Sequence, residues 1–345
     1  MKWKSSLIYD GFRIAMAYVG TVVGAGFATG QEIIQFFTCY GYYSFWAILI
    51  SVILFIAVGR RIMLCGRKLN AQSYGSVTSY LFGNTASFVN IYLGITFIFV
   101  CGAMFAGAGA LFKEQIGIPY IIGAFITALL ALLVTIKGVK GILAVNSVIV
   151  PCLIAFSLFV FINAVSGDRK PVDYFVGYPL NIPALLKTGI TYASFNLILS
   201  IGVLAPLGAE VYDIRALTLG SFLGGGILGL LLAMGNYALL CRVPEVFYSE
   251  VPQMVIVNQI GGFFVYAFML VVWAEIFTTA IGNLFAIYTI IKENYYVSSY
   301  LPAAAAAAAG LIICLFGFSN IVSWFYPILG MIGFILSAFI LINNA

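Results

Sequence analysis

Three glutamates, Glu32, Glu210 and Glu275, lie inside stretches that are otherwise apolar. A carboxylate is expensive to keep in hydrocarbon, so each is a candidate to ligate a cation or to carry a proton. Two of them close the same pattern: Gly24-x5-Gly30-x-Glu32 recurs as Gly202-x5-Gly208-x-Glu210. Around the first, Gly20-Thr21-Val22-Val23-Gly24-Ala25-Gly26-Phe27-Ala28-Thr29-Gly30-Gln31-Glu32 carries four glycines where a spanning helix should be uniformly apolar. A helix opens at membrane depth only where its freed backbone groups meet protein, a water-filled cavity or a ligand, so this stretch reads as half of a binding site.

The carboxylates also have a structural reading. Thr29-Gly30-Gln31-Glu32 has the form of a capping box, and Pro206 suits the first turn of a new half-helix with Glu210 in its opening turns. Both glutamates would then sit at positive dipole ends. They divide between holding half-helices in place or gating, and taking a proton or ligand. Glu275 has no capping role and is the stronger candidate for a cation ligand or protonatable group.

The elements that must position these residues follow from composition. The chain is 63% hydrophobic and 8% charged, has no histidine and has a mean hydropathy of +1.11, which a soluble core of ordinary proportions could not accommodate. Apolar stretches of about 20 residues, the length that crosses a bilayer, follow one another with short polar breaks. They predict an all-α integral membrane protein with ten spans near 11–38, 42–65, 88–112, 119–136, 141–165, 189–214, 217–241, 262–291, 301–317 and 320–342. The first is broken near 24–29 and the sixth near 200–206. Met1-Lys2-Trp3-Lys4 runs into the first span without a small-residue cleavage site, so no removable signal peptide is expected. Cys39, Cys65, Cys101, Cys152, Cys241 and Cys314 show no metal-type spacing and read as packing residues.

Charge sets the orientation. Lys2, Lys4, Arg60, Arg61, Arg67, Lys68, Lys137, Lys140, Arg215 and Lys292 fall on the side of the N-terminus, against the smaller set Lys113, Arg169, Lys170, Lys187 and Arg242 on the other. The positive-inside rule then places both termini in the cytoplasm of a plasma-membrane protein. The net charge of +5 follows this topology, which argues against nucleic-acid binding. An enzyme is disfavoured as well, because no histidine, paired acidic metal motif or nucleophile beside a base is available. Outside, residues 166–188 and 243–261 form longer connections. In the second, Pro252–Asn258 is either a lid dipping into a vestibule or an ordinary surface helix. Residues 69–87 are its cytoplasmic counterpart, lying along the membrane face.

The repeat extends beyond the glycines. Leu111-Phe112-Lys113-Glu114-Gln115 answers Ile290-Ile291-Lys292-Glu293-Asn294, and Pro151 answers Pro327, all near the same offset of 178. An odd number of spans per copy inverts the second, so the chain reads as one domain of five plus five inverted spans, about 11–165 and 189–343. Paired broken helices in such a repeat are the architecture of secondary transporters, with substrate bound between the breaks.

These patterns resemble the amino acid, polyamine and organocation (APC) superfamily with the LeuT-type fold, and most closely its small bacterial YkvI-like members. Gly20–Gly26 is similar to the unwound segment of the sodium-coupled amino acid symporters, and Ser200-Ile201-Gly202-Val203 to their second one. Thr278-Thr279, three and four residues after Glu275, resembles the paired hydroxyls of the shared sodium site. The resemblance implies carbonyl ligands at Gly20 and Val23 and another near Glu275; alternatively, both hydroxyls bond back to carbonyls one turn earlier. Phe27 replaces the amide of a second sodium site, so one coupling ion is expected. The lysine that proton-coupled relatives carry in span 5 is absent, where Asn146, Ser147 and Asn163 are found instead.

The expected pocket draws Val23, Gly24, Ala25, Gly26 and Phe27 from span 1 and Asn196, Ser200, Ile201, Gly202 and Val203 from span 6. Spans 3 and 8 add Gly102, Phe105 and Asn283. Amides at Gly24–Gly26 suit a carboxylate, and span 6 carbonyls with Asn196 suit an ammonium, which fits a zwitterionic amino acid. The small-residue run Gly102–Ala110 lets span 3 approach its neighbours closely. The expectation is a symporter of a small amino-acid-like solute with one sodium ion and no cofactor, spans 1, 2, 6 and 7 rocking against 3, 4, 8 and 9. Proton coupling through Glu275 and a non-transporting sensor are the alternatives.

Overall fold

The computed structural model describes residues 7–136, 138–167, 169–171, 181–295 and 300–342; the side chains of 25, 138–144, 147 and 294–295 lie outside the description. Lys2, Lys4, Lys137, Asp168 and residues 172–180 of the connection 166–188 therefore fall outside it, as do the side chains of Ala25, Lys140 and Ser147. All regular structure among the described residues is helical. Among the described residues, seven helices are long and apolar enough to cross a membrane, and two shorter apolar ones are Tyr120–Thr135 and Leu301–Phe316.

The chain opens with an interrupted helix. α1 (Leu7–Val22) stops, Gly24 is extended at φ −133° and ψ −169°, and α2 (Ala25–Thr29) starts behind it. Gly30 then turns left-handed at φ +92°, a conformation only glycine adopts freely, and α3 (Gln31–Phe36) follows. After it come α4 (Ser44–Leu69), the short α5 (Tyr74–Phe82), α6 (Ala86–Ile116), α7 (Tyr120–Thr135) and α8 (Gly138–Ser166). The second half holds α9 (Ile182–Glu210), α10 (Ile214–Leu240), the short α11 (Pro252–Ile260), α12 (Phe263–Tyr295), α13 (Leu301–Ile313) and α14 (Phe318–Ile342). A π-helical turn at Ile321–Phe325 lies within α14.

Helix bounds recur along with the glycines. Adding 178 to the limits of α5 gives those of α11. Likewise α6, α7 and α8 recur as α12, α13 and α14, within about three residues at each end.

The expected second break is not found. α9 is one α-helix from Ile182 to Glu210, with Pro206 inside it, and Ser200, Ile201, Gly202 and Val203 are all helical. The reason lies in packing: a Cβ on Gly202 would press to 2.5 Å from the Ala286 Cβ of α12, so this glycine permits close approach and leaves the backbone closed. α9 is also clamped against α4, its most extensive partner. Gly66 lies on the Ala205 carbonyl and Gly208 on the Met63 carbonyl, and Ser51 Oγ donates to the Gly189 carbonyl at 2.9 Å. Ser200 Oγ covers the Asn196 and Leu197 carbonyls at 2.6 and 3.2 Å.

A second correction follows. Glu210 ends α9 and so occupies the negative end of a helix dipole, not the opening turns of a half-helix. The next helix is capped by Asp213, whose Oδ1 accepts from the Arg215 amide at 2.8 Å.

Both connecting helices are packed inward. α5 is capped by Ser73, which accepts from the Gly75 amide at 3.0 Å, and buries Tyr74, Val77 and Leu81. α11 buries Pro252, Gln253, Met254, Ile256 and Val257, which favours a lid over a surface helix for 252–258.

Candidate functional site

The interruption between α1 and α2 leaves the Val23 carbonyl outside a regular helix, and α12 supplies its partner. Thr279 Oγ1 donates to the Val23 carbonyl at 3.0 Å, across the bundle. A Cβ on Gly24 would lie 3.2 Å from the same hydroxyl, so glycine there admits the close approach. Thr278 behaves differently: its Oγ1 donates back to the Glu275 carbonyl at 3.0 Å. Thr278 is thus back-bonded within its own helix, whereas Thr279 bonds across the bundle, which neither alternative described. Gly20 stands on the same wall, against Asn146 of α8. The structure thus gathers several uncharged oxygens at the break, the donor type that binds sodium in broken helices.

Glu275 is fully buried one turn before Thr279, and neither carboxylate oxygen has a hydrogen-bond partner. It does not line the cavity beside the break.

That cavity measures about 20 Å³ and lies where α1 to α3, α6, α8, α9, α12 and α14 meet. Gly24, Asn196, Val203 and Asn283 of the pocket set line it, together with Gly20, Thr278 and Thr279 of the ion set. Asn283 is oriented by donating to the Thr279 carbonyl at 2.8 Å, and Asn196 by donating to the Tyr192 carbonyl at 3.1 Å. Ser200, Ile201 and Gly202 do not line it, because the unbroken α9 turns them into helix contacts. Phe105 is also elsewhere, packed against Gly310 of α13; the α6 residues at the cavity are Val100 and Met104, one helical turn apart. Phe27 and Gly26 are buried outside the lining, and the Val23 side chain is likewise buried away from it.

Glu32, read as either a cap or a group that takes a proton or ligand, closes no capping box. Gly30 is the N-cap of α3 and forms no side-chain cap bond, and the Thr29 hydroxyl donates to the Gly26 carbonyl at 3.3 Å. Released from a capping box, the Glu32 carboxyl packs against Gly26, meets the Tyr192 hydroxyl and the Asn196 amide of α9, and lines the cavity. Asn146 and Tyr326 complete the polar wall without having been assigned to the pocket from sequence. Tyr326 had one signal, its place beside Pro327, the residue that answers Pro151 in the repeat.

α11 packs against α2, at the end of α12 away from Lys292. Gly30 sits against Gln253, Gln31 Nε2 donates to the Ser249 carbonyl at 2.7 Å, and the Ser319 amide donates to Glu250 Oε2 at 3.1 Å. At the other end, Glu293 of α12 accepts from Ser73 and, at 3.1 Å, from Ser76.

The bundle, with its first span interrupted beside a small buried cavity, has the LeuT-type fold. Among solved structures, MhsT in complex with L-phenylalanine shares that fold with a TM-score of 0.71 and 15% identity, covering 98% of this chain and 87% of the other. No family model matches the sequence. At the sequence level, the uncharacterized membrane protein YkvI of Bacillus subtilis (strain 168) is 34% identical over 322 residues, 93% of this chain and 92% of its own length. YyaD of the same organism, an uncharacterized protein, is 24% identical over 332 residues, 96% of this chain and 95% of its own. The chain belongs to the YkvI family of multi-pass membrane proteins.

Proposed function

We propose that this protein is a secondary active transporter, and not an enzyme, that takes up a small amino-acid-like solute with one sodium ion by alternating access. The carrying observation is the bond from Thr279 to the Val23 carbonyl at the helix break, beside a buried polar cavity. Sodium would be held there by Val23, Gly20 and Glu275 carbonyls with the hydroxyls of Thr278 and Thr279. Entering sodium would take Thr279 off the carbonyl, which ties ion binding to the geometry of the break. The proposed topology has ten spans, with α1–α3 as the first, arranged as two inverted copies of five; the recurrence of helix bounds at 178 residues supports it. Charge distribution supports cytoplasmic termini in a plasma membrane. An amino-acid ligand in MhsT, with the same fold, supports a solute of that kind, a zwitterionic amino acid first among them. The cavity of about 20 Å³ has room for a water-sized group, so the solute enters a more open conformation.

Glu275 favours a second reading. A carboxyl that is buried without partners suits proton coupling in place of sodium. Uptake of labelled amino acids into proteoliposomes, under a sodium gradient or a proton gradient alone, separates the two. Uptake that ignores sodium and follows protons overturns the sodium assignment. A solute that binds yet never accumulates inside overturns transport in favour of a sensor.

A further inference from the structure

Three polar side chains that line the cavity are almost wholly buried and carry atoms without a hydrogen-bond partner: Glu32, 3% exposed, through Oε2; Asn146, 1% exposed, through both amide atoms; and Tyr326, 1% exposed, through its hydroxyl. They come from α3, α8 and α14, so only the folded bundle brings them together. Buried polar atoms in native proteins are nearly always satisfied, and three exceptions around one small space point to a ligand group that satisfies them.

The charge of that group follows from the lining. Glu32 is its only charged residue; no Lys or Arg is present to balance it. Gly26 backs the carboxyl, where any Cβ would collide with it, and Tyr192 and Asn196 of α9 stand beside it. Its Oε2 has no partner and remains to receive a donor. The amides of Gly24–Gly26 were the sequence-based place for a solute carboxylate. The protein's own carboxylate now leans on Gly26, and a second anion beside it would be repelled at short range.

Resting on the transport reading above, we propose that Glu32 is the subsite for the solute's ammonium group, with the Tyr326 hydroxyl oxygen and Asn146 Oδ1 accepting its remaining N–H donors, and that a solute carboxylate is dispensable. A primary ammonium has three donors and is close to water in size, which matches three acceptors around about 20 Å³. The class of solute is therefore a primary amine, amino acids included, and carboxylic acids without an amine are excluded.

The test is thermal unfolding of the full-length protein in lipid nanodiscs, in sodium buffer, with matched triples: each common amino acid, the amine left by its decarboxylation, and the acid left by its deamination. For every amino acid that stabilises the protein, the amine should stabilise it with an affinity within about tenfold, and the acid should not. Glu32→Gln should weaken amine binding about 30-fold or more, the range for removing one partner of a buried charge pair. Glu32→Asp should recover part of it, and Tyr192→Phe, which unties one donor from the carboxyl, should weaken it less. Should Glu32→Gln fail to fold, the triples in the unaltered protein and Tyr192→Phe still decide. Acids that bind while amines do not, or full amine affinity in Glu32→Gln, overturn the subsite and leave transport standing. No stabilisation by any member of the panel overturns both.

Discussion

Replacing Thr279 with valine removes one oxygen and preserves volume, at the point where α12 meets the broken helix. The hydroxyl donates to the Val23 carbonyl at 3.0 Å, and Gly24 is packed so closely that a Cβ there would sit 3.2 Å from it. Without a sodium ion, the substitution leaves the Val23 carbonyl without its Thr279 donor. Loss of a partner for a buried acceptor costs about 1–3 kcal/mol, so the unfolding midpoint in potassium buffer should fall. With sodium, the variant lacks one ligand. An interaction between a neutral oxygen and a charged group is worth about 1.5–3 kcal/mol, which raises half-saturating sodium about 10- to 150-fold. Thr279→Ser should keep most of the sodium affinity, because it deletes only the methyl group. The assay is sodium titration of solute uptake in proteoliposomes, repeated on Phe27→Ala, a buried neighbour outside the cavity. A Thr279→Val curve that overlays the unaltered one, or an equal shift in Phe27→Ala, refutes the assignment.

Other perturbations test the frame around the site. Gly66→Ala drives a Cβ into the Ala205 carbonyl and should destabilise the α4 and α9 pair by about 1–3 kcal/mol, whereas Gly226→Ala points into open space and should change the unfolding midpoint little. Glu275→Gln removes a buried carboxylate that lacks partners, so the midpoint should hold or rise, and a large fall would expose an ion or proton partner that the carboxylate serves. Arg169 donates to Glu245 at 2.7 Å on the outer surface and, by that hydrogen bond, holds its carboxyl below the usual carboxylate range. A depressed folded-state pKa stabilises above the unfolded value of about 4.3 and is lost as pH falls through the folded one. Arg169→Ala should therefore leave the protein unchanged in acid and cost it slightly at neutral pH, less so in high salt; a stability loss confined to acid would contradict the pairing.

The glycines of span 1 marked where its helix could open, and the backbone leaves the helix at Gly24 and Gly30, but the stretch between them, expected to be unwound, is the short helix α2. Gly202 carries the same letter for a different reason, closeness to Ala286, and no local pattern separates a glycine that frees the backbone from one that admits a neighbour. With Gly202 committed to packing, Pro206 became an interior proline and Glu210 moved to a helix end. Glu32 kept two readings for a similar reason. Its four-residue signature is local, but the residues beside its carboxyl, Tyr192 and Asn196, lie more than 150 positions away in the chain. Asn146 and Tyr326 are polar residues of ordinary appearance within their own helices; only the convergence of α8 and α14 on the break gives them a part.

The matching limits of α5 and α11 have a consequence for the conformation not seen here. One copy of this short helix is docked beneath the bundle through Ser73, Ser76 and Glu293, while the other rests above it on Gly30 and Gln253. If the halves are inverted equivalents, each half records the shape its counterpart adopts when the molecule faces the other way. Exchanging the backbone angles of the two would then generate the opposite-facing state from this one, with α5 and α11 trading the roles of plug and hinge.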